Sequence, residues 1–253
     1  MTSTQAYELF DPEGDPSVLV LCDHASNRVP PEVAGGDLGL PPDDMARHIA
    51  YDVGARGVAL GLARRLGCPA VLSTFSRLVI DPNRGEDDPT LVMKLYDGSL
   101  IPGNRHADAA EIARRLGAWH RPYHGAVRRA IDRAEALGVA PALISIHSFT
   151  PRLRGRPPRP WHVGVLWDRD PRLAAPLIEI LRRAPELTVG DNEPYSGQLR
   201  GDTMWTHGTL RGLPHALIEV RNDLISDPAG EEIWAERLAD AAAEALEEAR
   251  AAA

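Results

Sequence analysis

The chain has 253 residues, of which 43% are hydrophobic and 25% charged, and its formal net charge at pH 7 is -8. This length and composition predict a globular protein with a substantial core, in a single domain that covers residues 1–253. An acidic chain without a basic stripe is not expected to bind nucleic acid. The polar N-terminus and the lack of a long apolar run argue against a secretory signal peptide and a membrane span, so we expect a cytoplasmic protein.

The first predicted strand covers residues 17–22, a short apolar run that is followed at once by Asp23 and His24. In open α/β sheets, ligands bind at the carboxyl ends of the strands. His24 is therefore expected to face a crevice rather than the core. The two cysteines, Cys22 and Cys68, each lie in an apolar stretch and are interpreted as reduced core residues.

A helix is predicted next, beginning at residues 41–44, where prolines precede two acidic residues, and ending near Leu66 with Gly67 as its C-terminal cap. Asp52 would lie on or beside the inward face of this helix. A carboxylate in that position needs a partner. Either a salt bridge or a bound metal ion would provide one.

Residues 70–73 and 77–80 are predicted to form two further strands, and the second of them leads to Asn83 and Arg84. The planar guanidinium of an arginine suits a carboxylate, and an asparagine adds a neutral donor beside it. An arginine after a strand is also often only a surface cation. The polar stretch at residues 86–105 is interpreted as a lid or substrate loop.

Two helical patterns, at residues 107–116 and 122–137, lead to the apolar run at residues 142–146, which ends at His147. This run predicts a buried strand with a second imidazole at its carboxyl end. A strand at residues 161–167 and an amphipathic helix at residues 171–183 follow. His120, His124 and His162 are interpreted as structural or surface residues. The arginine-rich loop that follows His147 either steers a small anion or is simply solvated; its arginines are Arg152, Arg154, Arg156 and Arg159.

Glu219 is the carboxylate in an otherwise apolar predicted strand at residues 215–220. Burying it is costly unless it meets a cation, metal-associated water or a donor network. Arg221 is two residues further along the same strand and so shares its face, which makes an ion pair the structural alternative. A polar loop at residues 191–197 and a helical segment at residues 202–210 precede this strand, and a helix from Asp227 to the C-terminus follows it.

Two imidazoles and one carboxylate are the ligand set of a catalytic zinc site. We therefore predict that His24, Asp52 and His147 bind Zn²⁺ and that Glu219 acts as a general base. The alternation of strands and helices predicts a three-layer α/β fold, with a mixed, mostly parallel sheet that has helices on both faces.

Four segments of the sequence resemble the N-formylglutamate amidohydrolase family, and the resemblance covers nearly the whole chain. They are Cys22-Asp23-His24-Ala25-Ser26-Asn27, Arg77-Leu78-Val79-Ile80-Asp81-Pro82-Asn83-Arg84, Asp191-Asn192-Glu193-Pro194-Tyr195-Ser196-Gly197 and Ile218-Glu219-Val220-Arg221-Asn222-Asp223. The resemblance implies a zinc-carboxypeptidase-like, or phosphorylase/hydrolase-like, fold. It also implies hydrolysis of a small anionic N-acyl amino acid, foremost N-formyl-L-glutamate, to formate and glutamate in histidine breakdown. The substrate-binding residues that it implies are Asn83, Arg84, Arg77, Arg221, Asn192 and Tyr195.

More distant families support the metal ligands. Residues 145–148 are similar to a ligand segment of zinc carboxypeptidases, but Asn27 stands where those enzymes have a glutamate. The N-acetylmuramoyl-alanine amidases, which the chain resembles more loosely, take their acidic ligand from the following helix, and Asp52 fits that arrangement. A deformylase or deacylase is therefore the preferred interpretation. A peptidoglycan amidase and a non-catalytic member that binds a metal or an anion are the alternatives.

Overall fold

The computed structural model describes residues 5–251, and within them the main feature is a sheet of seven strands. The strands of the protein are β1 (Tyr7–Phe10), β2 (Val18–Cys22), β3 (Ala70–Ser73), β4 (Leu95–Tyr96), β5 (Ser99–Leu100), β6 (Ala142–Phe149), β7 (Val163–Leu166), β8 (Val189–Asp191) and β9 (His215–Arg221). The order in the sheet is β1-β3-β2-β6-β9-β7-β8, while β4 and β5 form a separate hairpin. Strands β3, β2, β6 and β9 are parallel neighbours. Strand β1 pairs antiparallel with β3, and β7 pairs antiparallel with β9.

Helices cover both faces of this sheet. They are α1 (Pro42–Met45), α2 (Ala55–Leu66), α3 (Ala109–Arg115), α4 (Arg121–Ala136), α5 (Pro171–Arg182), α6 (Thr203–His207) and α7 (Pro228–Ala251). Helices α2 and α5 pack on one face and are themselves packed by α7, whereas α4 and α6 contact strands from the other face. The predicted three-layer fold with a mixed, mostly parallel sheet is confirmed. Among residues 5–251, no helix is long and apolar enough to cross a membrane.

Side chains alternate across the central strands, which divides the core into two clusters. Ile144 and Ile146 of β6 belong to the cluster under α2, α5 and α7. Leu143 of the same strand belongs to the cluster under α4. His147 follows Leu143 at even spacing and therefore lies on the α4 face. Cys22 and Cys68 are buried and free, as predicted.

The helix predicted over residues 42–66 is broken in the structure. Helix α1 has only four residues, and α2 begins at Ala55 after Gly54, whose φ of 77° favours glycine. A Cβ at Gly54 would lie 2.0 Å from the carbonyl oxygen of Ile225, so the chain approaches its neighbour too closely for a side chain. The prediction that Asp52 is carried by a helix is therefore wrong. Asp52 lies in the connection before α2, where its amide donates to the carbonyl of His24 at 3.0 Å.

The strand predicted at residues 77–80 is also absent. These residues form a buried turn, in which the amide of Val79 donates to the carbonyl of Ser76 at 2.9 Å. Leu78, Val79 and Ile80 are all completely buried. A short apolar run signals burial whether or not its backbone is extended, which explains the error.

The other predicted elements are confirmed to within a few residues, with some changes at their ends. Strand β6 continues to Phe149, so His147 lies inside the strand rather than after it. The two helical patterns at residues 107–116 and 122–137 become α3 and α4, joined by a π-helical turn, Leu116–His120. The polar stretch at residues 86–105 contains the β4–β5 hairpin.

Candidate active site

Three side chains from separate parts of the chain converge on one point. His24 follows β2, Asp52 precedes α2 and His147 lies near the end of β6. Nδ1 of His147 lies 2.8 Å from Oδ2 of Asp52, and Nδ1 of His24 lies 3.3 Å from the same oxygen. All three residues are at most 3% exposed, and their ligand atoms lie within 4.8 Å of one another. The structure thus brings together the three residues predicted to bind metal.

Two further carboxylates hold the imidazole rings. Nε2 of His24 donates to Oδ1 of Asp81 at 2.7 Å, and Nε2 of His147 donates to Oδ2 of Asp23 at 2.8 Å. Because a carboxylate accepts these bonds, Nε2 of each ring carries a proton, and Nδ1 is the nitrogen that would bind a metal ion after losing any proton it shares with Asp52. Histidines that bind metals are commonly oriented by outer carboxylates in this way.

The donor set fits zinc. Ligands about 2.0–2.2 Å from a tetrahedral zinc lie roughly 3.4 Å from one another. The 3.3 Å between His24 and Asp52 matches this spacing, whereas the 2.8 Å between His147 and Asp52 is a hydrogen-bond distance. Two nitrogens and one oxygen leave a fourth position for a reacting molecule. These three residues would therefore hold the ion.

Hydrogen bonds and opposite charges stabilise the ionised groups around this point. Burial alone would raise the pKa of Asp52, but the neighbouring His24 and His147 hold it well below its usual value. Burial would likewise lower the pKa of His147, but hydrogen bonds to Asp23 and Asp52 raise it. Arg77 donates from Nε and Nη2 to Asp81 and lies 3.4 Å from Asp52 through Nη1. Its guanidinium thus neutralises part of the negative charge of Asp81 and Asp52.

Glu219 lies beside His147 because β6 and β9 are parallel neighbours in which these two residues are direct partners. The carboxyl group is 7% exposed, and within residues 5–251 its Oε2 has no hydrogen-bond partner. Burial raises the pKa of Glu219 to about 7, against the opposing effect of a charged His147. A carboxylate with this pKa can both accept and return a proton near neutral pH.

A cavity of about 320 Å³ opens above these groups. Asn83 and Arg84 line it, together with aromatic side chains that include Trp167 and Trp205. Oδ1 of Asn83 accepts from the amide of Thr203 at 3.0 Å, which leaves Nδ2 without a partner among the described residues. Arg84 donates from Nε to Thr90 and from Nη1 to the carbonyl of Asn83, and its Nη2 likewise has no partner in that part of the chain.

Of the other four residues predicted to bind substrate, two line the cavity and two do not. Arg77 and Tyr195 line the cavity, although Arg77 is committed to Asp81 and Asp52. Asn192 lies outside the cavity lining, where its Oδ1 accepts from the amides of Trp167 and Gly197 and so braces the loop. Arg221 donates to Asp223 at 2.8 Å instead of pairing with Glu219.

The sequence analysis missed three acidic residues of the site. Asp23 and Asp81 are fully buried outer partners of the two histidines. Asp202, which lines the cavity, accepts from the amide of Trp205 at the start of α6, and burial raises its pKa to about 7. Asp23 stands directly before His24, but nothing in that adjacency indicates which histidine it holds. In the structure it holds His147.

Fold and site together define an α/β protein with a buried cluster of two histidines and a carboxylate that could hold a metal ion, under a cavity of about 320 Å³. A family model described as N-formylglutamate amidohydrolase matches residues 16–226, and the chain therefore belongs to that family. An N-formylglutamate deformylase from Pseudomonas putida is 32% identical over 135 residues, which are 48% of this chain and 47% of that protein. The match thus spans about half the length of that relative.

Two solved structures share the fold of this chain. A gene product of Agrobacterium tumefaciens has a TM-score of 0.91 and 34% identity, with 98% of this chain and 97% of that chain covered. An N-formylglutamate amidohydrolase from Ralstonia eutropha has a TM-score of 0.75 and 22% identity, with 99% and 100% covered. The second likeness concerns the fold alone.

Proposed function

We propose that this protein is a zinc-dependent hydrolase of the amide bond in small N-acyl amino acids, with N-formyl-L-glutamate as the first candidate substrate. The observation that carries the proposal is the convergence of His24, Asp52 and His147 beside the unpartnered carboxylate of Glu219. Membership in the N-formylglutamate amidohydrolase family and the Pseudomonas putida relative support the choice of an N-formyl group.

When bound, a zinc ion acidifies water and polarises an acyl carbonyl group. Glu219 accepts a proton from the attacking water and then returns it to the departing amine nitrogen. Oxygen of that water becomes bonded to the acyl carbon and the carbon–nitrogen bond breaks, which gives formate and a free amino acid. Because Oε2 of Glu219 has no hydrogen-bond partner within residues 5–251, this oxygen is free for both halves of the transfer.

The remaining residues bind and orient the substrate. Arg84 and Asn83 line the same cavity as the three candidate metal ligands, and their donors that are unpartnered within residues 5–251 would bind a substrate carboxylate there. Asp23 and Asp81 keep the two imidazoles in the tautomer that presents Nδ1.

The test combines metal analysis with a substrate panel. Purified protein should contain about one zinc per chain, and it should release formate from N-formyl-L-glutamate. Other N-formyl and N-acetyl amino acids in the same assay define the preferred acyl group and side chain. A protein with zinc but no activity on any member of the panel would contradict the proposed reaction, and a protein that is active without any metal would contradict the zinc dependence.

A further inference from the structure

Three imidazoles outside the metal site form a cluster behind Asn83 and Arg84. His120 lies in the π-helical turn, His124 in α4 and His207 at the end of α6. The ring centroids of His120 and His124 are 4.4 Å apart, and those of His124 and His207 are 5.1 Å apart. His120 and His207 are each only 5% exposed, so this is not a surface group.

Two of these rings bind the backbone of the substrate-binding segment. Nε2 of His124 donates to the carbonyl of Pro82 at 2.8 Å, and Nε2 of His120 donates to the carbonyl of Arg84 at 2.9 Å. The carbonyl groups of Pro82 and Arg84, the residues on either side of Asn83, thus both accept a hydrogen bond from a histidine.

The direction of these bonds follows from simple chemistry. A carbonyl oxygen only accepts, so Nε2 of His124 carries the proton and its Nδ1 is an acceptor. His207 must then donate from Nε2 to that Nδ1, across 2.8 Å. Burial and the neighbouring His120 lower the pKa of His124 to about 4, and burial lowers the pKa of His207 to about 3. Both rings are therefore neutral near pH 7, and their hydrogen bonds have fixed directions.

Asn83 makes two further hydrogen bonds of its own. Its amide donates to Oδ1 of Asp81 at 2.9 Å, and its Oδ1 accepts from the amide of Thr203 in α6. Together with the two bonds from the histidines, these contacts leave this short segment little freedom. By contrast, none of the three histidines lines the cavity of the active site.

We propose that His120 and His124 are positioning residues, which set the place of Asn83 and Arg84 and so control the affinity for a substrate carboxylate. His207 supports them by fixing the tautomer of His124. The identity of that carboxylate rests on the proposed function, whereas the restraint on residues 82–84 does not.

The first experiment substitutes His124 and measures steady-state kinetics and zinc content. His124→Ala should raise KM about 10- to 100-fold, the effect of losing a buried hydrogen bond, with kcat changed by less than roughly threefold and zinc retained. His124→Gln keeps an amide donor for Pro82 and should recover most of the affinity. His162→Ala is the control, because His162 also accepts one hydrogen bond, from the amide of Thr188, but lies away from this segment.

A double-mutant cycle tests whether His124 changes KM through the substrate-binding residues. Arg84→Ala alone should raise KM by roughly one to three decades. If His124 acts through Asn83 and Arg84, adding His124→Ala to the double variant Asn83→Ala/Arg84→Ala should change KM by less than about threefold. Fully additive effects would overturn the proposal, and so would a fall in kcat without any change in KM.

Backbone amide exchange separates this inference from the proposed function. In zinc-loaded protein, the backbone amides of residues 81–90 should exchange about tenfold faster in His124→Ala than in wild type. Their exchange rate should be unchanged in His162→Ala. If no substrate is hydrolysed, the proposed function is wrong. The exchange measurement still shows whether His124 restrains residues 82–84, because it does not depend on activity. Faster exchange over the whole chain would show a merely structural role and overturn it. Should His124→Ala not fold, His120→Ala is measured in the same way and has the same expected outcomes.

Discussion

Among the buried ionisable residues that surround the candidate metal site, Glu219 differs from its neighbours. Asp23, Asp52 and Asp81 each accept hydrogen bonds from a histidine or an arginine. Oε2 of Glu219 has none within residues 5–251. Burying a carboxyl group without a partner costs stability, so its presence on a central strand favours a role in the chemistry.

Glu219→Gln tests this role directly. The variant keeps the shape of the side chain and removes the base, so turnover should fall by about two to four decades. Zinc content should stay at the wild-type value, and the melting temperature should be equal or higher because an amide avoids the cost of a buried charge. Near-normal turnover in a variant that melts much lower would instead indicate that Glu219 is structural.

The sequence was sufficient to place His24, His147 and Glu219 at one edge of the sheet, since each lies in or directly after an apolar strand run. It was not sufficient for Asp23 and Asp81, because their roles depend on which strand ends become neighbours in the sheet. His124 was interpreted as structural or surface, and in the structure it is partly buried with a hydrogen bond to the carbonyl of Pro82. Helical spacing alone does not show which turn such a histidine contacts.

At the scale of single elements, α3 helps to hold the buried turn that leads to the site. Arg115 is 2% exposed and donates from Nη1 to the carbonyl of Val79 and to Oδ1 of Asn104. Glu111 accepts from Nε of Arg115 at 2.7 Å and also binds Arg114. The hydrogen bond from Arg115 to Val79 therefore connects α3 to the segment that precedes Asp81, and Glu111 of the same helix neutralises Arg115.

The pH dependence of stability should report on Glu111. A hydrogen bond from Arg114, with a further one from Arg115, lowers its pKa from 4.5 to about 2. The folded pKa lies below the unfolded one, so the stabilisation is fully present above about 4.5 and is lost as the pH falls towards about 2. Glu111→Gln should cost about 1–2 kcal/mol at pH 7, less than the full shift implies because Glu111 is partly exposed.

Urea unfolding of wild type and Glu111→Gln between pH 3 and pH 7 measures this difference. The two free energies of unfolding should approach each other as the pH falls. A difference that stays constant over the whole range would show that Glu111 acts through packing rather than through its charge.

Elements were predictable where a local pattern has one structural meaning. The central strands β2, β6 and β9 are apolar runs bounded by polar residues, and they were found at nearly the right bounds. The hydrophobic pattern gave the wrong secondary structure where tertiary packing determines the backbone conformation. Residues 46–54 have helical spacing, yet the close contact of Gly54 with Ile225 requires a break there. This break is what allows Asp52 to reach the two histidines.

For the whole molecule, the candidate metal site joins segments that are distant in the sequence. His24 and Asp52 are 28 residues apart, and Asp52 and His147 are 95 residues apart. A metal that binds all three residues restrains the end of β2, the connection before α2 and the central strand β6 at once. Because the unfolded chain does not present this arrangement, binding should stabilise the folded state of the entire domain.

Zinc should therefore raise the melting temperature of the metal-free protein. At a free concentration about 1,000 times Kd, the gain is about 4 kcal/mol, which for a chain of this size corresponds to roughly 10 °C. The measurement is thermal unfolding of chelator-treated protein over a zinc titration. His147→Ala should abolish the shift, since it removes one ligand and leaves Asp52 and His24 alone, whereas His162→Ala should retain it. Equal shifts in both variants would place the stabilising zinc elsewhere on the molecule and exclude His147 as its ligand.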